Sequence, residues 1–125
     1  MIYDYTDRVS RLHAPAHASP LVTECVHYVQ NHINAPIQIP DVAAHVNRSV
    51  SYVSKQFKKE MEQSLNDYIN QKKIEESKTL LIYTDKTLSE ISNYLCFSSQ
   101  SYFQNLFKKY VGMTPMVYRN TQSKQ

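Results

Sequence analysis

The sequence predicts an all-α fold of about seven helices, two tandem copies of a helix pair joined by a long central helix. Three observations carry that prediction. The 125 residues include one Gly and five Pro, which leaves little material for β-hairpins or Gly-rich phosphate loops and favours helices joined by short turns. Capping residues recur at short intervals ahead of apolar-periodic segments. The nine residues SYVSKQFKK from Ser51 return as SYFQNLFKK from Ser101, with five positions in agreement.

Residues 1–18, MIYDYTDRVSRLHAPAHA, show no sustained periodicity and read as a linker or disordered N-terminal segment. His13 and His17 have one-face helical spacing, but Pro15 between them spoils it, so a tether is expected there and not a metal site. Ser19-Pro20 supplies an N-cap and a Pro at the first helical position. The helix that follows, LVTECVHYVQNHI, offers a stripe of Leu21, Cys25, Tyr28 or Val29, and Ile33. A short helix then fits IPDVAAHV, with Pro40 in its first turn and Val42, Ala43 and Val46 inward. Ser49 caps a third, VSYVSKQFKKEM, whose expected inward set is Tyr52, Val53 and Phe57.

The longest segment is SLNDYINQKKIEESKTLLIY, residues 64–83. Ser64 with Asp67 gives it a capping-box start, and Leu65, Tyr68, Ile69, Ile74, Leu80 and Leu81 supply its apolar face. A helix of this length spans roughly 30 Å. Thr87 and Glu90 form a second capping box ahead of LSEISNYL. Ser98 is the expected cap of SQSYFQNLFKKY, with Tyr102, Phe103 and Phe107 inward, and Gly112 ends that region. Thr114-Pro115 starts a short last helix. The expected organisation is a first subdomain at 19–63, a connecting helix at 64–83, a second subdomain at 84–121 and a tail at 122–125.

A net charge of +3 identifies no partner. The distribution says more: Glu90 is the last acidic residue, and beyond it the charges are Lys108, Lys109, Arg119 and Lys124. An acid-free C-terminal third suits an anionic partner such as DNA. Cys25 and Cys96 are too few for a disulfide scaffold and lack metal-pair spacing, so they read as two reduced thiols of a cytoplasmic protein. No apolar run reaches membrane-spanning length, and no signal peptide is apparent. With no nucleophile elbow and no zinc spacing, neither an enzyme nor a cofactor is expected.

The internal repeat extends beyond the nine residues. Ile39, Val42, Ala43 and Val46 correspond to Leu88, Ile91, Ser92 and Leu95 at an offset of 49. Ser51, Tyr52, Phe57, Lys58 and Lys59 correspond to Ser101, Tyr102, Phe107, Lys108 and Lys109 at an offset of 50, so the second turn has gained one residue. A short helix, a tight turn and a longer helix is the helix-turn-helix plan, whose second helix enters the DNA major groove.

At this point the chain resembles the DNA-binding domain of AraC/XylS-type bacterial transcription regulators. Residues 87–119, TLSEISNYLCFSSQSYFQNLFKKYVGMTPMVYR, carry the resemblance most strongly, supported by SVSYVSKQFKKE and YINQKKIEESKTLL, and about residues 20–120 are covered. The family usually has Gly at Cys96, often Gly near Glu62, and Ala at Ser77 and Ser92. The resemblance implies two recognition helices, at about 49–61 and 98–110, in successive major grooves of double-stranded promoter DNA; the expected helix length matches the ~34 Å repeat of B-DNA. It implies a base-reading set of Val50, Ser51, Ser54 and Lys55 in the first unit and Gln100, Ser101, Gln104 and Asn105 in the second. The chemistry agrees: Gln and Asn pair bidentately with adenine, Lys with guanine, and Ser or Val meets base edges or a thymine methyl. Lys58, Lys59, Lys108 and Lys109 lie where each helix leaves the groove and are candidate phosphate contacts, as is Arg119. RNA polymerase is a further candidate partner, and family members usually carry a sensory or dimerisation domain, expected N-terminally in a longer parent chain. The competing reading is a helical protein–protein interaction module without DNA readout.

Overall fold

The computed structural model describes residues 18–123, which form seven helices and no strand. The helices are α1 (Pro20–Asn31), α2 (Ile39–His45), α3 (Val50–Met61), α4 (Leu65–Tyr83), α5 (Leu88–Tyr94), α6 (Gln100–Val111) and α7 (Pro115–Ser123). Of the linker expected at residues 1–18, residues 1–17, His13 and His17 included, lie outside the described residues. None of the described helices is long and apolar enough to cross a membrane.

Most helix starts follow from side-chain caps. Ser19, Ser49 and Ser64 each accept a hydrogen bond from the backbone N–H three residues on, at 3.3, 3.1 and 3.0 Å. Thr87 and Glu90 close a reciprocal capping box, with both hydrogen bonds present. One cap differs from expectation: Ser99, not Ser98, caps α6, accepting from Tyr102 N at 3.0 Å. The offset of 50 explains it, because Ser49 plus 50 is Ser99. The residue gained in the second turn displaces the helix start.

The chain divides into two compact units. The first contains α1, α2, α3 and the start of α4 up to Ile69. Its core is Val22, Cys25, Val26 and Val29 from α1, Val42 and Ala43 from α2, Val53 and Phe57 from α3, and Leu65, Tyr68 and Ile69. The stripe on α1 therefore runs through Val22 at i, i+3, i+4 and i+7 spacing, and Leu21, one residue earlier, is only half-buried. Phe57 meets Tyr68 edge-on at 5.5 Å between centroids. Glu60 on α3 accepts from Ser19 N at 2.8 Å and from Gln56 Nε2, and these hydrogen bonds hold its carboxyl below the usual range.

The second unit contains residues 33–36, the remainder of α4, and α5, α6 and α7. Ile74 and Leu81 of α4 pack with Leu88, Ile91, Leu95, Phe97, Phe103, Leu106 and Phe107. Three ring pairs run through this cluster: Phe97–Phe103 at 5.1 Å, Phe103–Phe107 at 6.0 Å and Phe107–Tyr118 at 5.5 Å. Leu80, expected inward, is only partly buried.

Two serines stand in this interior with different outcomes. Ser77 Oγ donates to Ile74 O at 2.6 Å, whereas Ser92 Oγ is buried without a partner. An unsatisfied buried hydroxyl is destabilising, and deleting it removes the penalty. Ser92→Ala should stabilise the protein by about 1 kcal/mol in urea unfolding, while Ser77→Ala should give no such gain.

The first unit also contains two buried acids that resist ionisation. Burial pushes the Tyr68 hydroxyl from 10.0 up to about 12, the Gln30 side chain opposing it. Burial, then the Glu24 carboxylate, pushes the Cys25 thiol from 9.0 to about 11. Folded-state values above the unfolded ones mean that these groups favour folding below pH 9.0 and lose that contribution as pH rises towards about 12. Unfolding free energy should therefore decline through this alkaline window. In Tyr68→Phe the Tyr68 share of the decline, between pH 10.0 and about 12, should disappear, leaving the Cys25 share between pH 9.0 and about 11.

Candidate nucleic-acid interface

Each unit builds its turn by the same backbone route. In the first, Asn47 N donates to Ala44 O at 3.2 Å and Arg48 N to Ala43 O at 3.1 Å. In the second, Cys96 N donates to Asn93 O at 3.1 Å and Phe97 N to Ser92 O at 3.0 Å. Asn47 and Cys96 both adopt the left-handed conformation, with φ of 58° and 60°. The longer helices also end alike, with Glu62 at φ 60° and Gly112 at φ 92° as left-handed C-caps. The positions where family members place Gly are thus places that need positive φ, and Cys96 and Glu62 adopt it despite their side chains.

The second turn is held by a group that the sequence did not flag. Lys73, from α4, is 4% exposed. Its ammonium donates to Ile33 O at 3.0 Å, to Ala35 O at 3.1 Å and to Leu95 O, the carbonyl of the α5 C-cap. Burial lowers its pKa, the nearby Cys96 thiol opposing that shift. Arg119 is engaged in a similar way, with Nε donating to Leu81 O at 2.9 Å and a terminal nitrogen to Thr84 O at 3.2 Å. The candidate phosphate ligand from the sequence is therefore occupied at the C-terminal end of α4.

The second helices of the two pairs, α3 and α6, expose matching arcs. With about 100° per residue, Ser51, Lys55, Lys58 and Lys59 fall on one side of α3, and Ser101, Asn105, Lys108 and Lys109 on the same side of α6. All eight are exposed, as are Val50 and Gln100 at the first helical positions. Ser54 and Gln104 sit at the margin of the arc and are half-buried. Among the described residues, none of Lys55, Lys58, Lys59, Lys108 or Lys109 has a carboxylate within ion-pair distance.

Tyr52 and Tyr102, expected in the core, are 49% and 41% exposed. The helical spacing explains the difference. Val53 and Phe57 are four residues apart and form the buried edge, and Tyr52 is turned about 100° away from it, towards Lys59. Phe103 and Phe107, joined by Leu106, do the same in α6, with Tyr102 on the exposed side. Asn70 Nδ2 donates to the Tyr102 hydroxyl at 3.2 Å. Among the described residues no cluster of His, Cys, Asp and Glu could hold a metal.

Comparison with known proteins gives a consistent result. A family model described as a helix-turn-helix domain matches residues 42–121. The Xylose operon regulatory protein of Escherichia coli (strain K12) is 35% identical over 104 residues, which is 83% of this chain and 26% of that protein. The Melibiose operon regulatory protein of the same organism is 30% identical over 119 residues, 95% of this chain and 39% of that protein. The chain thus spans well under half the length of these relatives. Among solved structures, the C-terminal domain of AraT, a response regulator from Geobacillus stearothermophilus, superposes with a TM-score of 0.81 at 30% identity, covering 85% of this chain and 88% of that one.

Replacing Lys73 by the similarly long but apolar Met would leave three carbonyls without their donor. Loss of a buried charged hydrogen-bonding group on this scale should cost about 3 kcal/mol in urea unfolding. The effect should be well above that of Lys72→Met on the neighbouring, more exposed position.

Proposed function

The chain belongs to the AraC-type family of helix-turn-helix transcription regulators, a sequence-specific DNA-binding and not an enzymatic family, and from that premise we propose how it reads DNA. It inserts α3 and α6 into successive major grooves of promoter DNA. Ser51 and Lys55, with Val50 and Ser54, meet base edges in one groove; Gln100, Ser101 and Asn105, with Gln104, meet them in the next. Lys58, Lys59, Lys108 and Lys109 take phosphates where the helices leave the groove. The observation that carries this reading is the pair of matching exposed arcs, alike in their lysine ends and different at their centres. Arg119 is left out of the phosphate set, because its guanidinium is held by Leu81 and Thr84 carbonyls.

The same reading makes the chain a cytoplasmic DNA-binding domain. It works with a sensory or dimerisation domain in a longer parent chain and with RNA polymerase as a second partner. The short share of each relative that the chain spans supports the first of these.

Selection of binding sites from random duplexes tests the bipartite mode. Lys55→Ala and Asn105→Ala should each relax preference at a separate cluster of base pairs, the clusters lying about one helical turn apart, with about 1–3 kcal/mol lost per contact. If both variants relax the same base pairs, or neither relaxes any, the mode is wrong. Affinity of the unaltered protein should fall steeply with salt, as release of counterions from several phosphates requires. A flat salt response would favour a protein–protein module instead.

A further inference from the structure

The equivalence of the two turns exposes one position where the units differ in kind. Arg48 and Phe97 occupy the same place: each N–H closes back onto the carbonyl five residues earlier, Ala43 or Ser92, and each follows a left-handed residue. Each also lies beside the exposed Tyr of its recognition helix. Phe97 meets the Tyr102 ring at 6.2 Å between centroids, and the Arg48 guanidinium lies 5.9 Å from the centroid of Tyr52. Phe97 is buried and joins the second core, whereas Arg48 is exposed. Where one unit has a core ring, the other carries a permanent positive charge at the N-terminal mouth of α3.

That charge has no carboxylate partner among the described residues. Glu24 lines the same surface depression as Arg48, but its carboxylate is directed to His45 Nε2 at 3.4 Å and His27 Nδ1 at 3.9 Å. The guanidinium instead lies over the Tyr52 ring within cation–π range, on a side chain exposed to solvent. Tyr52 shares its side of α3 with Lys59, two helical turns further on. Arg48 therefore extends the lysine-bearing edge beyond the start of the helix, along the flank of the arc and not at its base-reading centre.

We infer that Arg48, oriented by the Tyr52 ring, is a DNA-phosphate clamp particular to the first unit. This inference rests on the DNA-reading role proposed above. The guanidinium takes a backbone phosphate bidentately beside the groove that α3 enters, fixing the register of α3 without reading a base. The second unit has Phe97 in that place and lacks the contact, so the first unit contributes the larger share of sequence-independent affinity.

Two variants remove the charge in different ways. Arg48→Phe installs the residue that the second unit uses, and Arg48→Gln keeps a polar side chain, so at least one is expected to fold. On the selected duplex each should weaken binding about tenfold at low salt. Each should also lower the magnitude of the log–log salt slope by about one, and leave the selected base preferences unchanged. In a Tyr52→Leu background the effect of Arg48→Gln should shrink severalfold, because the guanidinium has lost its platform. An unchanged salt slope in the folded variants, or a shifted base preference, overturns the clamp while the salt-dependent binding of the unaltered protein stands. A flat salt response in the unaltered protein overturns the DNA-reading role itself, and the clamp with it.

Discussion

The buried ammonium of Lys73 is the constraint around which the second unit is arranged. The last carbonyls of a helix have no intrahelical donor, and they must find one if they are buried. Leu95 ends α5 in that situation, and the carbonyls of Ile33 and Ala35 converge on the same point. A lysine answers all three at once, since it offers three donors on an apolar stem that packs like a hydrophobic residue. Its lowered pKa marks the opposing effect of desolvation, which the nearby Cys96 thiol only partly counters. The result is a fixed end for α5, and hence a fixed start for the turn that aims α6.

From that turn onward the two units obey one geometry with different side chains. A left-handed residue after the short helix and another after the long one set the direction of each recognition helix. Glycine meets this requirement with least strain, yet it occupies one of the four places, Gly112. Asn47 is the next most tolerant choice, and Cys96 and Glu62 are the strained ones. The fold accepts that strain because the neighbouring contacts over-determine the backbone: the closing hydrogen bond of Phe97 at one site, and the bond from Glu62 N to Lys58 O, at 2.9 Å, at the other.

The sequence made legible what is decided locally. Caps at Ser19, Ser49, Ser64 and Thr87, proline at Pro20, and the four-residue spacing of Val53 with Phe57 depend on a few neighbouring residues, and they read correctly. What escaped depends on which side of a helix the rest of the chain covers. Tyr52 and Tyr102 are apolar enough for a core and adjacent to core residues, but one residue of offset turns them to solvent. Lys73 looks like one charge in a charged helix, and only the arrival of three carbonyls makes it an interior residue. Ser92 is legible as a departure from the family's usual Ala, yet its lack of a partner is a property of packing. Arg48 could have been found earlier, because aligning the repeat at offset 49 sets it against Phe97.

The division between shared frame and variable centre also bears on affinity. In the proposed bipartite mode the two recognition helices belong to one chain, so binding by the first makes binding by the second an intramolecular step. Neither helix then needs a complete set of strong base contacts, which suits the small side chains of Ser51 and Ser101. In the proposed mode the lysine pairs give both units the same non-specific grip, while Lys55 and Asn105 ask for different bases. The phosphate contact inferred for Arg48 makes the pair unequal. In that mode the first unit holds the duplex more firmly through its backbone, and discrimination falls more heavily on the second, where Gln100, Gln104 and Asn105 provide amides suited to adenine.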